Sequence, residues 1–421
     1  MQLETSLQPD DVLKHHTSHT IRTTTSACLL RALSRSGSDV TTLLSSLSLV
    51  IFDDLDAVDG ASEHELAISI LLHLSQSRPI RIIGLSASVN DPADLAAWLR
   101  VPPEAIFAFR PSAREQELKT VTQTFTIPHS AALFKAMAKP THDALRAMPL
   151  GTAGIVFVPS RTMCRTVATE LVTQCANEME TRGFLGSDVE ESRMEYAGRR
   201  LKDPLLVDPL MRGIGIYYDA MASSDKLLVL ELFADGVLRV LVVPRECCWT
   251  LPARAGTIVA MGTQYVQWLD REHAEKQGDR SQVDRQVKNY SIPEVIRMQS
   301  RAVQHGRPGR FYLFCQAEER DTFKMFLDQG LPLESTLKSD PAYLMQWVKN
   351  KVNTKEMIGK QDLMDFLSFT LLYRRTKSNP VYYDGERDGE AELLSRFSDD
   401  LWLEQGNDLA AEQPSIKQPS T

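Results

Sequence analysis

"LVIFDDLDAVDG", Leu49 to Gly60, runs from four apolar residues straight into Asp53, Asp54, Leu55 and Asp56. A run that is apolar at consecutive positions suits a strand buried on both faces, the environment of a parallel sheet covered by helices. Carboxylates at the end of such a strand stand where open α/β sheets bind ligands. They also suit a plain strand end followed by a turn or cap, because Asp accepts hydrogen bonds from nearby backbone N–H groups.

Working outward, the first run extends to "LSLVIFDD" (47–54), and further runs of the same kind recur at "IRIIGLSAS" (80–88), "AGIVFVPS" (153–160), "VLRVLVVP" (237–244), "GTIVAMG" (256–262) and "RFYLFCQ" (310–316). Rich in Val and Ile, they predict an α/β fold with parallel sheets. Between two of them, Cys164, Val167, Ala168, Leu171, Val172, Cys175 and Met179 follow steps of three and four, which predicts a helix with one apolar stripe. After about residue 330 the pattern turns helical. Asp340 and Pro341 form a candidate N-cap and first-turn pair for "AYLMQWVKNKV", and "KQDLMDFLSFTLLYRR" reads as a further amphipathic helix.

The 421 residues exceed what one core usually supports. The expected division is a first lobe over 1–125, a linker region over 126–152 punctuated by Pro and Gly, a second lobe over 153–330, a helical region over 331–402 and a disordered tail over 403–421. Within the second lobe, 269–289 is almost wholly polar and reads as a solvated insertion.

Composition bounds the function. A formal charge of −8 gives no global attraction for nucleic acid, although a local basic groove is compatible with it. No apolar run approaches the ~20 residues of a membrane span, and the acidic N-terminus lacks the pattern of a secretory signal. Cys28, Cys164, Cys175, Cys247, Cys248 and Cys315 show no CxxC spacing, so they read as core thiols in an intracellular protein. In the adjacent pair Cys247 and Cys248, one side chain is expected inside and the other partly exposed. His15, His16 and His19 lack an evident fourth metal ligand. The sequence contains no Gly-rich phosphate loop; its single Gly-Lys dipeptide, Gly359-Lys360, continues with Gln361.

In order, "VIFDDLDAV", "RIIGLSAS", "AGIVFVPSR", "GIGIYYDAMASSDKLLVLELFADGVLRVLVVPRECCW", "MGTQYV" and "LSFTLLYRRTKSNPVYY" resemble superfamily-two DExH RNA helicases. The resemblance is nearest to the degenerate C-terminal cassette of the spliceosomal tandem-cassette helicases, over roughly residues 20 to 395. It implies two RecA-like lobes, the first incomplete through N-terminal truncation, followed by a partial winged-helix appendage over 331–402.

The resemblance also assigns vestigial catalytic positions. Asp53, Asp54, Leu55 and Asp56 stand at the DExH box, with Glu shortened to Asp54 and His replaced by Asp56, while Ser86, Ala87 and Ser88 stand at the Ser-Ala-Thr motif. Thr23, Thr24 and Thr25 fall at a Thr-Pro-Glu segment that touches the nucleic-acid backbone. In "VVPRECCWTLP" (242–252), a motif contacting ATP and RNA in the family, Pro244 replaces Thr and the Gly-x-Asn is lost near Thr250. In "RMQSRAVQHGRPGR" (297–310), Arg297 replaces Gln, Arg301 is kept and Gln304 replaces the arginine finger. A finger is worth ~10³ to 10⁵ in rate, so its loss alone nearly silences hydrolysis.

The reading that follows is a nuclear pseudo-helicase acting as a protein-interaction or regulatory scaffold in pre-mRNA splicing, with spliceosomal proteins or an active helicase cassette as partners and no cofactor or metal. One alternative is a residual ATP-dependent RNA helicase or ATPase using Mg-ATP, with Asp53 and Asp54 on magnesium and Arg301 on the phosphates. The other is an RNA-binding module in which Arg374, Arg375 and Lys377 form a basic patch.

Overall fold

A computed structural model describes residues 2–14, 20–35, 37–76, 80–179, 182–186, 189–268, 285–304, 306–383 and 395–402. His15, His16, His19, the tail 403–421 and residues 269–284 of the polar insertion lie outside them. The chain forms two compact units, one of Met1–Arg110 with Gln329–Thr421, the other of Pro111–Asp328.

Four strands are described in the first unit: β1 (Gln2–Ser6), β2 (Thr20–Thr24), β3 (Leu49–Phe52) and β4 (Arg81–Gly84). They form two parallel pairs, β1 with β2 and β3 with β4. The apolar runs at 47–54 and 80–88 thus become strands, but their burial is one-sided. Leu49, Ile51 and Leu85 are between 43% and 54% exposed, whereas Phe52 is buried. The Ser62–Leu74 helix supplies the interior of this unit, with Leu66, Ala67, Ile68, Ile70, Leu71 and Leu72 all buried.

The second unit is built on β5 (Leu118–Phe125), β6 (Gly154–Val158), β7 (Ile214–Ile216), β8 (Val240–Pro244), β9 (Thr257–Met261), the hairpin strands β10 (Gln264–Trp268) and β11 (Arg285–Asn289), and β12 (Gly309–Gln316). Among the described residues six of them form one sheet in the order β5-β12-β9-β6-β8-β7, every pairing parallel. Each residue of β6, β8 and β9 is buried, as their continuous Val and Ile runs require. The mixed α/β, parallel-sheet architecture is that of a RecA-like domain.

Several expectations are corrected. Leu118–Phe125, placed in the first lobe, pairs with β12 through eight residues as an edge strand of the second unit. Its polar sequence "LKTVTQTF" has only one sheet neighbour to satisfy, so it lacks the apolar run by which buried strands are read. The linker region contains the Ala131–Arg146 helix, whose Leu133, Phe134, Met137 and Leu145 join the core of that unit. The boundary therefore lies near Pro111, and the helical region after Gln329 belongs to the same unit as the N-terminal strands.

The Arg161–Asn177 helix buries Cys164, Val167, Ala168, Leu171 and Cys175, but Met179 lies beyond its end at φ 57° and is 91% exposed. "KQDLMDFLSFTLLYRR" makes two helices, Lys360–Leu367 and Leu371–Ser378, because Thr370 caps the second through Tyr373 N–H. Asp340 caps nothing at Ala342–Asn353; its carboxylate accepts from Ser62 Oγ at 2.8 Å. Cys247 and Cys248 are both fully buried, since they sit in a 3-10 turn where strand alternation does not apply. No described helix is long and apolar enough to cross a membrane.

Candidate functional site

The residues singled out from sequence fall into two groups, one in each unit. In the first unit the ends of β3 and β4 carry the acids and the serines side by side, because the parallel register pairs Phe52 with Gly84. Leu85 N–H donates to Phe52 C=O at 2.8 Å and Leu55 N–H to Leu85 C=O at 2.9 Å, so the pairing continues past the strands. Gly84 leaves room for this closure: a Cβ there would lie 2.5 Å from Leu55 Cδ1.

The three carboxylates then diverge. Asp53 is exposed and accepts from Asp54 N–H at 2.9 Å, while Asp54 takes a left-handed backbone, φ 53°. Asp56 is 1% exposed; its Oδ1 accepts from Ala87 N–H at 2.9 Å and lies 3.4 Å from Ser86 Oγ. Ser88 Oγ donates to Phe109 C=O at 2.6 Å. The structure brings Asp56 and Ser86 together, and there the acid holds a loop.

The threonines have local partners. Thr24 Oγ1 donates to Ser6 C=O at 2.9 Å, Thr23 Oγ1 lies 3.2 Å from Thr5 Oγ1, and Thr25 caps the Ser26–Leu33 helix by accepting from Cys28 N–H at 3.2 Å. Next to them Ser26 Oγ meets His64 Nδ1 at 2.5 Å. Burial lowers the His64 pKa, against the raising influence of Glu63, Asp54 and Asp56. That histidine draws no attention in the sequence, standing alone on a helix without ligand spacing.

In the second unit Pro244 closes β8 opposite Val158 in β6, where its missing N–H takes no hydrogen bond from the ladder's end. Thr250 Oγ1 donates to Asp219 Oδ2 at 2.9 Å. Arg301 follows the Ile292–Ser300 helix and donates to Cys248 C=O at 3.0 Å, and the Arg297 guanidinium stands 5.0 Å from the ring of Trp249, which is 38% exposed. Gln304 lies against the backbone at Gly256, where a Cβ would come within 2.6 Å of Gln304 Oε1.

Sequence reasoning missed Arg245. Its guanidinium pairs with Glu294 and lies 3.8 Å from the centre of Tyr265 and 5.7 Å from that of Tyr290. Glu294 is itself fixed by a capping box with Ser291. All six cysteines are buried free thiols, and burial pushes Cys247 and Cys248 up to about 12, which keeps them protonated and unreactive at neutral pH.

The basic patch of the RNA-binding alternative loses Arg375. Arg375 is 6% exposed and belongs to a buried network: its Nη2 and Nε bind Glu334 at 2.6 and 3.0 Å, and its Nη1 binds Asp94 at 2.5 Å. Tyr383 O–H donates to Glu334 at 3.0 Å, and Asn379 Nδ2 donates to it at 2.8 Å. Glu65, fully buried, accepts from Leu372 N–H at 2.9 Å. These contacts, with Trp98 Nε1 donating to Phe369 C=O at 2.9 Å, fasten the C-terminal helices to the Ser62–Leu74 and Pro92–Trp98 helices.

No family model matches the chain. It is 30% identical over 347 residues to the U5 small nuclear ribonucleoprotein 200 kDa helicase of Drosophila melanogaster and 31% identical over 343 residues to that of Homo sapiens, covering 80% of this chain in each case. It is 29% identical over 375 residues, 87% of this chain, to the pre-mRNA-splicing factor brr2 of Schizosaccharomyces pombe. The chain spans only 15 to 16% of the length of these relatives. Similarity sustained over four-fifths of its residues, together with the order of its motifs on parallel strands, makes it a member of the spliceosomal DExH helicase family.

Proposed function

We propose that this chain is a catalytically degenerate, helicase-like scaffold of the nuclear pre-mRNA splicing machinery, binding spliceosomal proteins or an active helicase cassette without turning over ATP. The observation that carries this reading is Asp56. At the position of the family's histidine, it is buried and bonded to Ala87 N–H, which turns two motif segments into one fixed corner. Gln304 at the finger position packs against Gly256 and carries no positive charge, which also favours this reading. Pro111–Asp328 corresponds in this view to the second RecA-like lobe. The other unit combines residues of the first lobe with the winged-helix-like region.

The half-exposed apolar strands β3 and β4, which among the described residues pair only with each other, suit a protein that associates with others, since open sheet edges favour added strands. The test is phosphate release from Mg-ATP by the purified chain, with affinity capture from nuclear extract alongside. A rate equal to that of Asp53→Asn, together with capture of splicing proteins, is expected. Magnesium-dependent hydrolysis abolished in Asp53→Asn would establish the ATPase alternative. Salt-dependent RNA affinity without recovered proteins would establish the RNA-binding one.

A further inference from the structure

The Ala131–Arg146 helix and the Arg161–Asn177 helix pack against each other in the second unit, and His142 lies between them. Its side chain is 0% exposed, with the ring edge-on to Phe184 at 5.7 Å and Nε2 3.7 Å from Cys175 Sγ. Nδ1 is buried and has no hydrogen-bond partner, yet it faces two carboxylates. Glu178 Oε1 is 3.6 Å away and Asp143 Oδ1 is 4.0 Å away. The three ligand atoms lie within 4.8 Å of one another.

An imidazole nitrogen aimed at two carboxylates is stable there only with a proton or a metal cation between them. In the tautomer whose Nε2–H donates to the Cys175 sulfur, Nδ1 presents its lone pair, and a lone pair facing carboxylates is repulsive unless a cation sits there. This is the usual arrangement of a ligating histidine, whose second nitrogen is held by an outer partner. We propose that His142 Nδ1, Asp143 and Glu178 bind one divalent transition-metal cation, zinc by preference, that clips the first helix to the end of the second.

One imidazole with two carboxylates matches zinc and its neighbours, while magnesium and calcium favour all-oxygen sites. Tetrahedral zinc places its ligands about 3.4 Å apart. The carboxylates, 59% and 44% exposed, have the freedom to close the remaining distance, and water completes the sphere. The site is separate from every residue assigned through the helicase motifs.

The test uses the full chain, stripped with EDTA and titrated with zinc chloride by calorimetry, with thermal unfolding and the cobalt(II) absorption spectrum in parallel. One zinc per chain is expected, with Tm raised by several degrees at about a hundred-fold excess over Kd and no rise with magnesium chloride. Glu178→Gln and Asp143→Asn alter exposed side chains, leaving packing intact. Each should weaken zinc binding roughly tenfold or more and change the cobalt spectrum. Zinc binding unaltered in both variants would place the ion elsewhere and overturn the proposal. So would the absence of zinc binding with Tm lowered equally in Glu178→Gln with and without zinc, which would show a proton in the ion's place.

Discussion

Ile155 in β6 and Ile51 in β3 both sit in parallel strands drawn from continuous apolar runs, yet Ile155 is fully buried and Ile51 is 54% exposed. In the Pro111–Asp328 unit, β6 has strands on both sides and the Arg161–Asn177 helix packed on it, and every residue is interior. In the other unit β3 has one described neighbour, and part of the interior is closed by a polar network of Arg375, Glu334, Asp94 and Tyr383. The same local sequence pattern therefore supports two kinds of core. One draws its stability from apolar area, the other also from satisfied buried charge.

The largest effect that would break this comparison is expected at Arg375. Arg375→Ala leaves Glu334 and Asp94 without their buried cation, and truncating one partner of such a pair costs about 3 to 5 kcal/mol. Urea unfolding should lose stability in the unit containing Arg375, while fluorescence from Trp249 in the other unit keeps its midpoint. Equal loss in both would mean that they unfold as one. Arg375→Met with Glu334→Gln should recover part of the loss, because the stranded acid is then neutral.

The two isoleucines sharpen the contrast directly. Ile155→Ala should destabilise by about 2 to 5 kcal/mol, as buried large-to-small changes do, and Ile51→Ala by less than about 0.5 kcal/mol, as exposed changes do. Similar values by chemical denaturation would show that β3 is covered in solution.

Glu65 ties stability to pH. Burial raises its carboxyl from 4.5 to about 7, against weaker opposing hydrogen bonds from Ser335, Leu372 and Leu371. Because the folded pKa is raised, the folded state holds the proton more tightly. Its contribution is fully present below about 4.5 and is lost as pH rises towards 7. At about 1.4 kcal/mol per pH unit this amounts to the order of 3 kcal/mol. Asp59, raised to about 7 chiefly by burial, acts in the same direction. Thermal unfolding of the wild type should strengthen between pH 7 and 5, and Glu65→Gln, which keeps an oxygen for Leu372 N–H, should flatten the profile. An unchanged profile would place the proton elsewhere.

The smallest effects separate the acids at the end of β3. Asp56→Ala strands Ala87 N–H and should cost about 1 to 3 kcal/mol. Asp53→Asn keeps its acceptor oxygen at an exposed position and should stay within about 0.5 kcal/mol. A reversed order, measured by thermal unfolding, would contradict the fixed-corner role of Asp56.

How much could be read in advance depended on where each residue's partners lie. The strands at 154–158, 240–244, 257–261 and 309–316 were legible because burial on a parallel sheet demands consecutive apolar residues, and those at 49–52 and 81–84 were legible by the same apolar pattern although their burial is one-sided. The stripe from Cys164 to Cys175 was legible because a helix repeats every 3.6 residues. Edge strand β5 was not legible, because one neighbour imposes no apolar pattern, nor was the end of the Arg161–Asn177 helix before Met179, which rests on backbone conformation.

Sequence alone thus determined the α/β class, the parallel strands and the family. Each is written in local periodicity and in the order of short motifs, both of which survive without knowledge of contacts. Tertiary structure alone decided that residues after Gln329 complete the N-terminal unit, that Arg375 is a buried clasp, that Asp56 supports a loop, and that His142 meets Glu178. Those facts depend on pairings between residues 30 to almost 300 positions apart, where the character of a polar side chain is set by its partner and leaves no periodic trace in the chain.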